Sequence, residues 1–316
     1  MDEFELIDQI FHRREDQKSW VSVGVGDDGA VLDVTPGKQS VVVMDTLVSG
    51  VHFLHAQPAD SIGHRALAVN LSDIAAMGAT PRWATLSLTI PDFDGEWLRA
   101  FAEGFFKLAQ IHGVALVGGD TTAGPLAISV TVGGEVDPAA VLRRSGAKSG
   151  DRIFVSGRLG GAAAALSCEE ASTDRALQQA LWYPEPRVDL GMELGRLAHS
   201  AIDLSDGLLA DLGHVLKASG DLGADIEADQ VPLFDASVSL LEYRRALELA
   251  LGGGDDYELC FTAPDKAHQE LLSIGSRLGL EMFCIGRITR EGGCCVRGGP
   301  PGLADITSGY RHLWRK

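Results

Sequence analysis

The chain has 316 residues, of which 45% are hydrophobic, so it is long enough for two domains with ordinary cores. Lys and Arg number 27 against 44 Asp and Glu, and the resulting net charge of −17 argues against nucleic acid or an anionic membrane surface as a partner. Five cysteines without CxxC spacing, an acidic N-terminus and the lack of any apolar run of roughly 18 residues predict a soluble, cytoplasmic protein with reduced thiols.

Two acids interrupt the first predicted strands. The stretch VSVGVGDDGAVLDV alternates apolar and polar residues on both sides of Asp27 and Asp28, and glycines flank the two acids. This pattern predicts two short strands joined by a loop that exposes both carboxylates. Because Asp and Gly favour turns in any context, the motif is as consistent with an ordinary turn as with a binding site.

Asp45 and Asp73 are the next acids in an apolar context. Residues 41–44 form an apolar run, which predicts a buried strand that ends there and delivers Asp45 into a loop at the carboxyl edge of a sheet. A helix is predicted over residues 58–77, and it carries Asp73 without any Lys or Arg three or four residues away. A metal ion is the favoured partner for this carboxylate, and a hydrogen-bonded core acid is the alternative.

The same arrangement recurs at Asp120. A buried strand is predicted over residues 114–117, and it is followed by two glycines, Asp120 and two threonines. Carboxylates gathered beside Gly, Ser and Thr are hard oxygen ligands that suit Mg²⁺, which is often shared with substrate phosphates. The pattern therefore favours phosphoryl transfer with magnesium over nucleophilic catalysis, since no Ser or Cys stands in a catalytic context with a His.

The regular pattern weakens over residues 133–151, which are rich in Gly and carry Arg143, Arg144 and Lys148. We place a domain boundary here, so that the domains are 1–137 and 138–316. The basic cluster is either a solvated linker or a site for nucleotide phosphates, because ligands favour the junctions of domains.

The second half repeats the association of acids with glycines. In AIDLSDGLLADLG, a short strand is followed by Asp203, Ser205 and Asp206, and a glycine then precedes a predicted helix. Farther along, Asp255 and Asp256 follow three glycines. Predicted helices and strands alternate through this half, which indicates a second α/β domain.

Taken together, these motifs resemble the thiamine-monophosphate kinases, which belong to a superfamily with aminoimidazole ribonucleotide synthetase. The resemblance runs in order over nearly the whole chain. It is carried by GDDGA (26–30), DTLVSGVHF (45–53), NLSDIAAMGA (70–79), GGDTT (118–122), RSGAKSGD (144–151), DLSDGLLADLG (203–213) and GGDDYELCF (253–261).

The resemblance implies a two-domain α/β (α+β) fold of the aminoimidazole ribonucleotide synthetase type. In this fold the N-terminal domain binds metal and ATP, and its sheet forms a barrel across a homodimer. The implied activity is ATP-dependent phosphorylation of thiamine monophosphate to thiamine diphosphate by direct in-line transfer, with several Mg²⁺ ions.

The resemblance also implies roles for individual residues. The magnesium ligands would be Asp28, Met44, Asp45, Asp73, Asp120, Asp203 and Asp206. The ATP site would include Gly119, Asp120, Arg144 and Ser205, and the catalytic residues would be Asp120, Arg144 and Asp206. The substrate would meet His52, Asp255, Leu313 and Trp314.

Four positions depart from the family pattern. Val43 and Met44 stand where Ser and Thr often precede the acid, so that only backbone carbonyls could serve as ligands there. Asp255 replaces the usual Glu, and Leu313 stands where an aromatic residue often lies, so that either Leu313 or Trp314 would stack on the thiamine. From the residues alone, His52 is either an ordinary loop histidine or a donor to a substrate phosphate.

Two alternatives stay open at this point. One is a cyclase of the aminoimidazole ribonucleotide synthetase type, and the other is a non-catalytic module that binds magnesium and nucleotide. A selenophosphate synthetase is disfavoured, because such enzymes carry a reactive Cys or selenocysteine near the N-terminus and the first cysteine here is Cys168.

Overall fold

The computed structural model describes residues 10–11 and 18–300. Within these residues the chain forms two compact units. The first comprises the residues up to 74 together with 79–138, and the second comprises 75–78 together with the residues from 139 onwards. No helix in the described ranges combines the length and the apolar composition needed to cross a bilayer.

The first unit is built on a four-stranded mixed sheet. In chain order, the elements up to residue 138 are β1 (Val21–Val23), β2 (Val31–Leu32), β3 (Gln39–Val48), α1 (Ala59–Ala76), β4 (Thr80–Ile90), α2 (Gly95–Ile111), β5 (Ala115–Ala123) and β6 (Ala127–Val136). The sheet has the order β3, β6, β4, β5, in which β6 pairs antiparallel with β3 and β4, and β4 pairs parallel with β5. Strands β1 and β2 form a separate antiparallel pair.

Alternation along the strands gives this sheet one buried face and one open face. On β6, Ile128, Val130 and Val132 are at most 1% exposed. On β3, by contrast, Val42 and Met44 are 60% and 62% exposed. Because successive side chains of a strand point to opposite faces, β3 presents every second residue to the core and the others to the open face.

Helix α2 contributes much of the core of this unit. Asp94 caps its N-terminus, where the carboxylate accepts two backbone N–H groups of the first turn at 3.0 and 3.1 Å. Four apolar side chains recur at helical spacing in the sequence of this helix, which predicts one buried stripe. The structure confirms it, because all four are at most 3% exposed. They are Leu98, Phe101, Phe105 and Leu108.

The second unit is built on a six-stranded sheet. Its elements are β7 (Arg152–Ser156), α3 (Gly161–Ala165), α4 (Glu169–Thr173), α5 (Arg175–Trp182), α6 (Val188–Leu194), β8 (Ser200–Asp203), α7 (Leu208–Ala218), β9 (Gly223–Glu227), α8 (Asp235–Leu240), α9 (Tyr243–Gly252), β10 (Leu259–Ala263), α10 (His268–Leu278), β11 (Met282–Thr289) and β12 (Gly293–Arg297). The strand order is β12, β9, β11, β7, β10, β8. The pairs are antiparallel except β12 with β9, which is parallel.

Two strands run farther than their apolar patterns predict. Strand β3 continues past Asp45 because it pairs with β6 over its whole length, which places Asp45 opposite Val130. Strand β5 continues through Asp120, which pairs with Ser87 of β4. The prediction that both acids follow the ends of strands was therefore wrong. Pairing with a neighbouring strand satisfies the backbone groups and overrides the low strand propensity of Asp and Gly.

Candidate active site

Asp45 and Asp73 form a carboxyl pair in the first unit. Asp45 lies on the core-facing side of β3, together with the buried Val41 and Leu47, and its side chain is hydrogen-bonded to Asp73 of α1. Burial raises the pKa of Asp45, although the hydrogen bond with Asp73 and the charge of nearby His52 act in the opposite direction. Two carboxyl groups in such contact share either a proton or a cation. Their oxygen-only donor set fits Mg²⁺.

His52 and Met44 differ in their relation to this pair. The Nδ1 atom of His52 accepts the backbone N–H of Val48 at 3.0 Å, so the neutral ring carries its proton on Nε2. Met44 directly precedes Asp45, and its side chain therefore lies on the open face of the sheet. The thioether of Met44 is thus turned away from the Asp45 carboxylate, and its backbone carbonyl is the group left to serve as a ligand.

A second group of predicted residues lines a cavity of about 330 Å³ beside β5. Asp28, Gly119 and Asp120 lie at its polar part, whereas Leu86 and other apolar side chains form the rest of its wall. A Cβ added at Gly119 would lie 1.9 Å from the carbonyl oxygen of Leu86, so only glycine fits here without moving the strand. The cavity is in the size range of small-molecule sites and combines an acidic and an apolar part.

The two acidic groups of the first unit are separate. Asp45 lies on β3 and Asp120 on β5, which are the two edges of the sheet with β6 and β4 between them. Because neighbouring strands are about 4.8 Å apart, the two backbones are separated by about 14 Å. The acids of the first unit are therefore divided between its two edge strands.

In the second unit, Asp203 lies at the end of β8, and the turn that leads to α7 carries Ser205 and Asp206. Asp203 is the last residue of β8 and is 5% exposed. On α7, Asp211 lies close enough to Asp206 that carboxylate oxygens of the two, with a ring nitrogen of His214, fall within 4.8 Å of one another. Burial and the nearby charge of Asp203 raise the pKa of Asp211 to about 7. Carboxylates crowded in this way favour a cation between them.

Asp255 is held beside this turn. Its backbone N–H donates to the carbonyl oxygen of Ser205 at 2.9 Å, and its Oδ1 accepts the hydroxyl of Tyr257 at 3.1 Å. Its φ of 62° lies in the left-handed region, which non-glycine residues adopt rarely and which is enriched at functional sites. The adjacent Asp256 is anchored differently, because its Oδ1 accepts the backbone N–H of Gly160 at 2.8 Å, and burial raises its pKa well above the usual value.

Asp255 also lines a cavity of about 250 Å³ within the second unit. An ion pair forms part of its wall, since Arg187 donates to both carboxylate oxygens of Glu258, at 2.7 and 2.5 Å. Burial opposes the charge of Arg187, but the hydrogen bonds and charge of Glu258, assisted by Glu185, outweigh it and raise the pKa of the guanidinium. The guanidinium of Arg187 thus keeps its charge at the cavity wall.

Three predicted site residues have no place in the contacts described above, either because they lie elsewhere or because they are outside the described residues. Arg144 is exposed, and its backbone carbonyl accepts the hydroxyl of Ser219 at 3.4 Å. Leu313 and Trp314 lie outside the described residues, so their predicted contact with the substrate stays a prediction.

Sequence reasoning missed Asp211, Arg187 and Glu258. Asp211 had a signal, since it lies within the same DLSDGLLADLG motif as Asp203 and Asp206, five residues after the latter. Arg187 and Glu258 are 71 residues apart in the chain, and nothing in the local pattern of either residue indicates the other.

Comparison with known families covers most of the chain. The model of the N-terminal domain of AIR synthase related proteins matches residues 26–136, and the model of their C-terminal domain matches residues 148–298. Both matches agree with the predicted two-domain α/β fold. Thiamine-monophosphate kinase of Escherichia coli (strain K12) is 45% identical over 323 aligned residues that cover 98% of each chain. That of Bacillus subtilis (strain 168) is 36% identical and covers 92% of each chain.

Solved structures are similar over the same extent. The crystal structure of thiamine-monophosphate kinase from Stenotrophomonas maltophilia K279a has a TM-score of 0.87 and 46% identity, and the match covers 94% of this chain and 97% of that one. AaThiL complexed with AMPPCP and TMP has a TM-score of 0.75 and 30% identity, with 98% and 97% covered. On these grounds the chain belongs to the thiamine-monophosphate kinases, a family of enzymes with the AIR synthase related fold.

Proposed function

We propose that this enzyme transfers the γ-phosphoryl group of ATP directly and in line to the phosphate of thiamine monophosphate, with several Mg²⁺ ions, and releases thiamine diphosphate and ADP. The observation that carries the proposal is the cavity beside β5, where Asp28, Gly119 and Asp120 adjoin an apolar wall. An acidic end suits metal-bound phosphates, and an apolar wall suits a nucleotide base. The complex of AaThiL with AMPPCP and TMP supports the same pair of substrates.

Six carboxylates would hold the magnesium ions. They are Asp28, Asp45, Asp73, Asp120, Asp203 and Asp206, with the Met44 carbonyl as a further oxygen ligand. Bound Mg²⁺ neutralises phosphate charge and orients the transferred group. The distribution of these acids over both edge strands of the sheet supports more than one ion.

Other side chains would bind the substrates. Gly119 lines the nucleotide cavity, Ser205 and Arg144 contact ATP, and Asp120, Arg144 and Asp206 act in catalysis. The acceptor phosphate has a second pKa near 6, so it is largely ionised at neutral pH and needs no general base. His52 carries its ring proton on Nε2 when neutral, and this N–H is suited to donate to that phosphate. Asp255 and either Leu313 or Trp314 would meet the thiamine.

The active form in this proposal is a homodimer whose two N-terminal sheets form one barrel. The open face of the sheet supports it, since Val42 and Met44 expose apolar side chains there. Light scattering on the eluting peak of a size-exclusion column should give twice the chain mass. Val42→Asp should give monomers, whereas Val34→Asp, at an exposed residue outside the strands, should not. A wild-type monomer that is fully active would overturn the dimer.

The activity is tested with purified protein, Mg²⁺, ATP and thiamine monophosphate, with thiamine diphosphate measured by chromatography and mass. Asp120→Asn should lower kcat by about 100-fold while the folded state, followed by circular dichroism, is unchanged. Asp92→Asn, at an exposed acid of the same unit, is the matched control and should behave as wild type. Absence of product from the wild-type protein across the neutral pH range would refute the kinase proposal.

A further inference from the structure

Asp211 collects three backbone amides of the turn that precedes its own helix. Its Oδ2 atom accepts the N–H groups of Ser205, Asp206 and Gly207 at 3.1, 3.0 and 3.1 Å. The residue Asp211 is 3% exposed, so these bonds are shielded from water. A single carboxyl oxygen here orders three consecutive residues, and each of these bonds is stronger when the carboxyl group is ionised than when it carries a proton.

The local backbone explains why this contact is needed. Gly207 is the N-cap of α7, but it has no side chain that could accept the amides at the helix start. Its φ of 118° suits only glycine, and an added Cβ would lie 2.8 Å from the carbonyl carbon of Gly252. A capping Ser or Asp is therefore impossible at this position. Asp211, in the first turn of α7, supplies the acceptor oxygen that an N-cap side chain would otherwise provide.

The ordered segment is the one that carries Ser205 and Asp206. Its opposite side is held by the Asp255 loop, through the bond from the Asp255 N–H to the Ser205 carbonyl. The backbone of the turn is thus held by its amides on one side and by a carbonyl on the other. Ser205 and Asp206 therefore extend their side chains from a fixed backbone.

We propose that Asp211 is a positioning residue that holds the 205–207 turn so that Ser205 and Asp206 are placed for the nucleotide and its magnesium. This inference rests on the proposed function of those two residues. The competing role is direct metal ligation, since the carboxylate also lies near those of Asp203 and Asp206. The two roles differ in what they require of the side chain. Positioning needs a side chain that is long enough to bring an acceptor oxygen to the three amides, whereas ligation of Mg²⁺ by this group needs its negative charge.

The comparison of Asp211→Asn with Asp211→Ala separates these roles. Asn keeps an oxygen at the same reach, so its kcat and the Mg²⁺ concentration for half-maximal activity should stay within about threefold of wild type. Ala removes the acceptor, so kcat should fall at least about tenfold, the factor that one lost bond to a charged group produces, and the required Mg²⁺ concentration should rise. Asp229→Ala, an exposed acid of the same unit, is the control and should match wild type.

Several results would overturn the inference. Equal losses in the Asn and Ala variants would assign Asp211 as a metal ligand. A lower Tm of the Ala variant with unchanged Mg²⁺ dependence and unchanged activity per folded molecule would assign it a merely structural role. If the Ala variant does not fold, Asp211→Ser, whose hydroxyl is too short to reach all three amides, replaces it in the same comparison.

The test also stands apart from the proposed function. A wild-type protein that forms no thiamine diphosphate would refute the proposed activity, but the stabilisation of each variant by Mg²⁺ with AMPPCP would still be measured by thermal shift. In that experiment the Asn variant should keep the wild-type shift, and the Ala variant should lose most of it. The same shift in both variants and wild type would refute the positioning role.

Discussion

The ion pair between Arg187 and Glu258 provides a quantitative test of the second unit. Arg187→Met keeps an unbranched side chain but removes the two hydrogen bonds, at 2.7 and 2.5 Å, that the guanidinium donates to Glu258. The Glu258 side chain is 7% exposed, so its carboxylate would be left almost without water. It would retain the hydroxyl of Ser156 at 2.5 Å as a neutral donor.

The cost follows from the uncompensated carboxylate. Removing one partner of a buried pair destabilises a protein by about 3–5 kcal/mol. We expect the lower end, about 3 kcal/mol, because the Arg187 side chain is 21% exposed and Ser156 continues to serve Glu258. For a unit of this size the loss corresponds to a decrease in Tm of about 6–12 °C. Adding Glu258→Gln to Arg187→Met removes the stranded charge and should restore part of the stability.

Scanning calorimetry of the single and double variants measures these changes. Arg277→Met is the matched control, since Arg277 pairs with Glu193 at 3.0 Å but the two side chains are 58% and 39% exposed. Exposed pairs contribute little, so this variant should melt as wild type does. If Arg187→Met is no less stable than Arg277→Met, or if Glu258→Gln brings no recovery, the desolvated carboxylate is not the source of the effect.

Three further predictions concern the candidate site and the thiols. Gly119→Ala should raise the KM for ATP at least about fivefold in steady-state kinetics, because its Cβ would lie 1.9 Å from the Leu86 carbonyl oxygen. Gly213→Ala is the control and should leave this KM unchanged, because its Cβ meets nothing within 4 Å and the residue does not line the cavity. Without Mg²⁺, Asp45→Asn should have a Tm no lower than that of wild type, because burial disfavours the charge that the substitution removes. When Mg²⁺ is added, the Tm of this variant should rise less than that of wild type. An equal rise would show that Asp45 is not a metal ligand. Cys260 is buried, and burial raises the pKa of its thiol, so a thiol reagent should modify it only after the protein is unfolded. Rapid labelling of Cys260 in peptide maps of the native protein would contradict the fold.

The local sequence was sufficient to predict which residue types are candidate metal ligands. Acids beside glycines and hydroxyl residues indicate oxygen ligands without reference to a fold, because a carboxylate lacking a basic neighbour needs some other cation. The spacing of Leu98, Phe101 and Phe105 likewise specified the buried stripe of α2, since helical periodicity depends only on residues close in the chain.

Tertiary structure decided how these residues are combined. The apolar pattern of the sequence predicts that a strand ends just before Asp45. The pairing of β3 with β6 places the acid within the strand instead, on the side that meets Asp73 of α1. Strand register and helix packing are non-local, so no window of sequence contains them. The contacts of Asp211 are local, since the three amides that it accepts lie four to six residues before it. Its role nevertheless depends on the positive φ of Gly207, which the residue types alone do not determine.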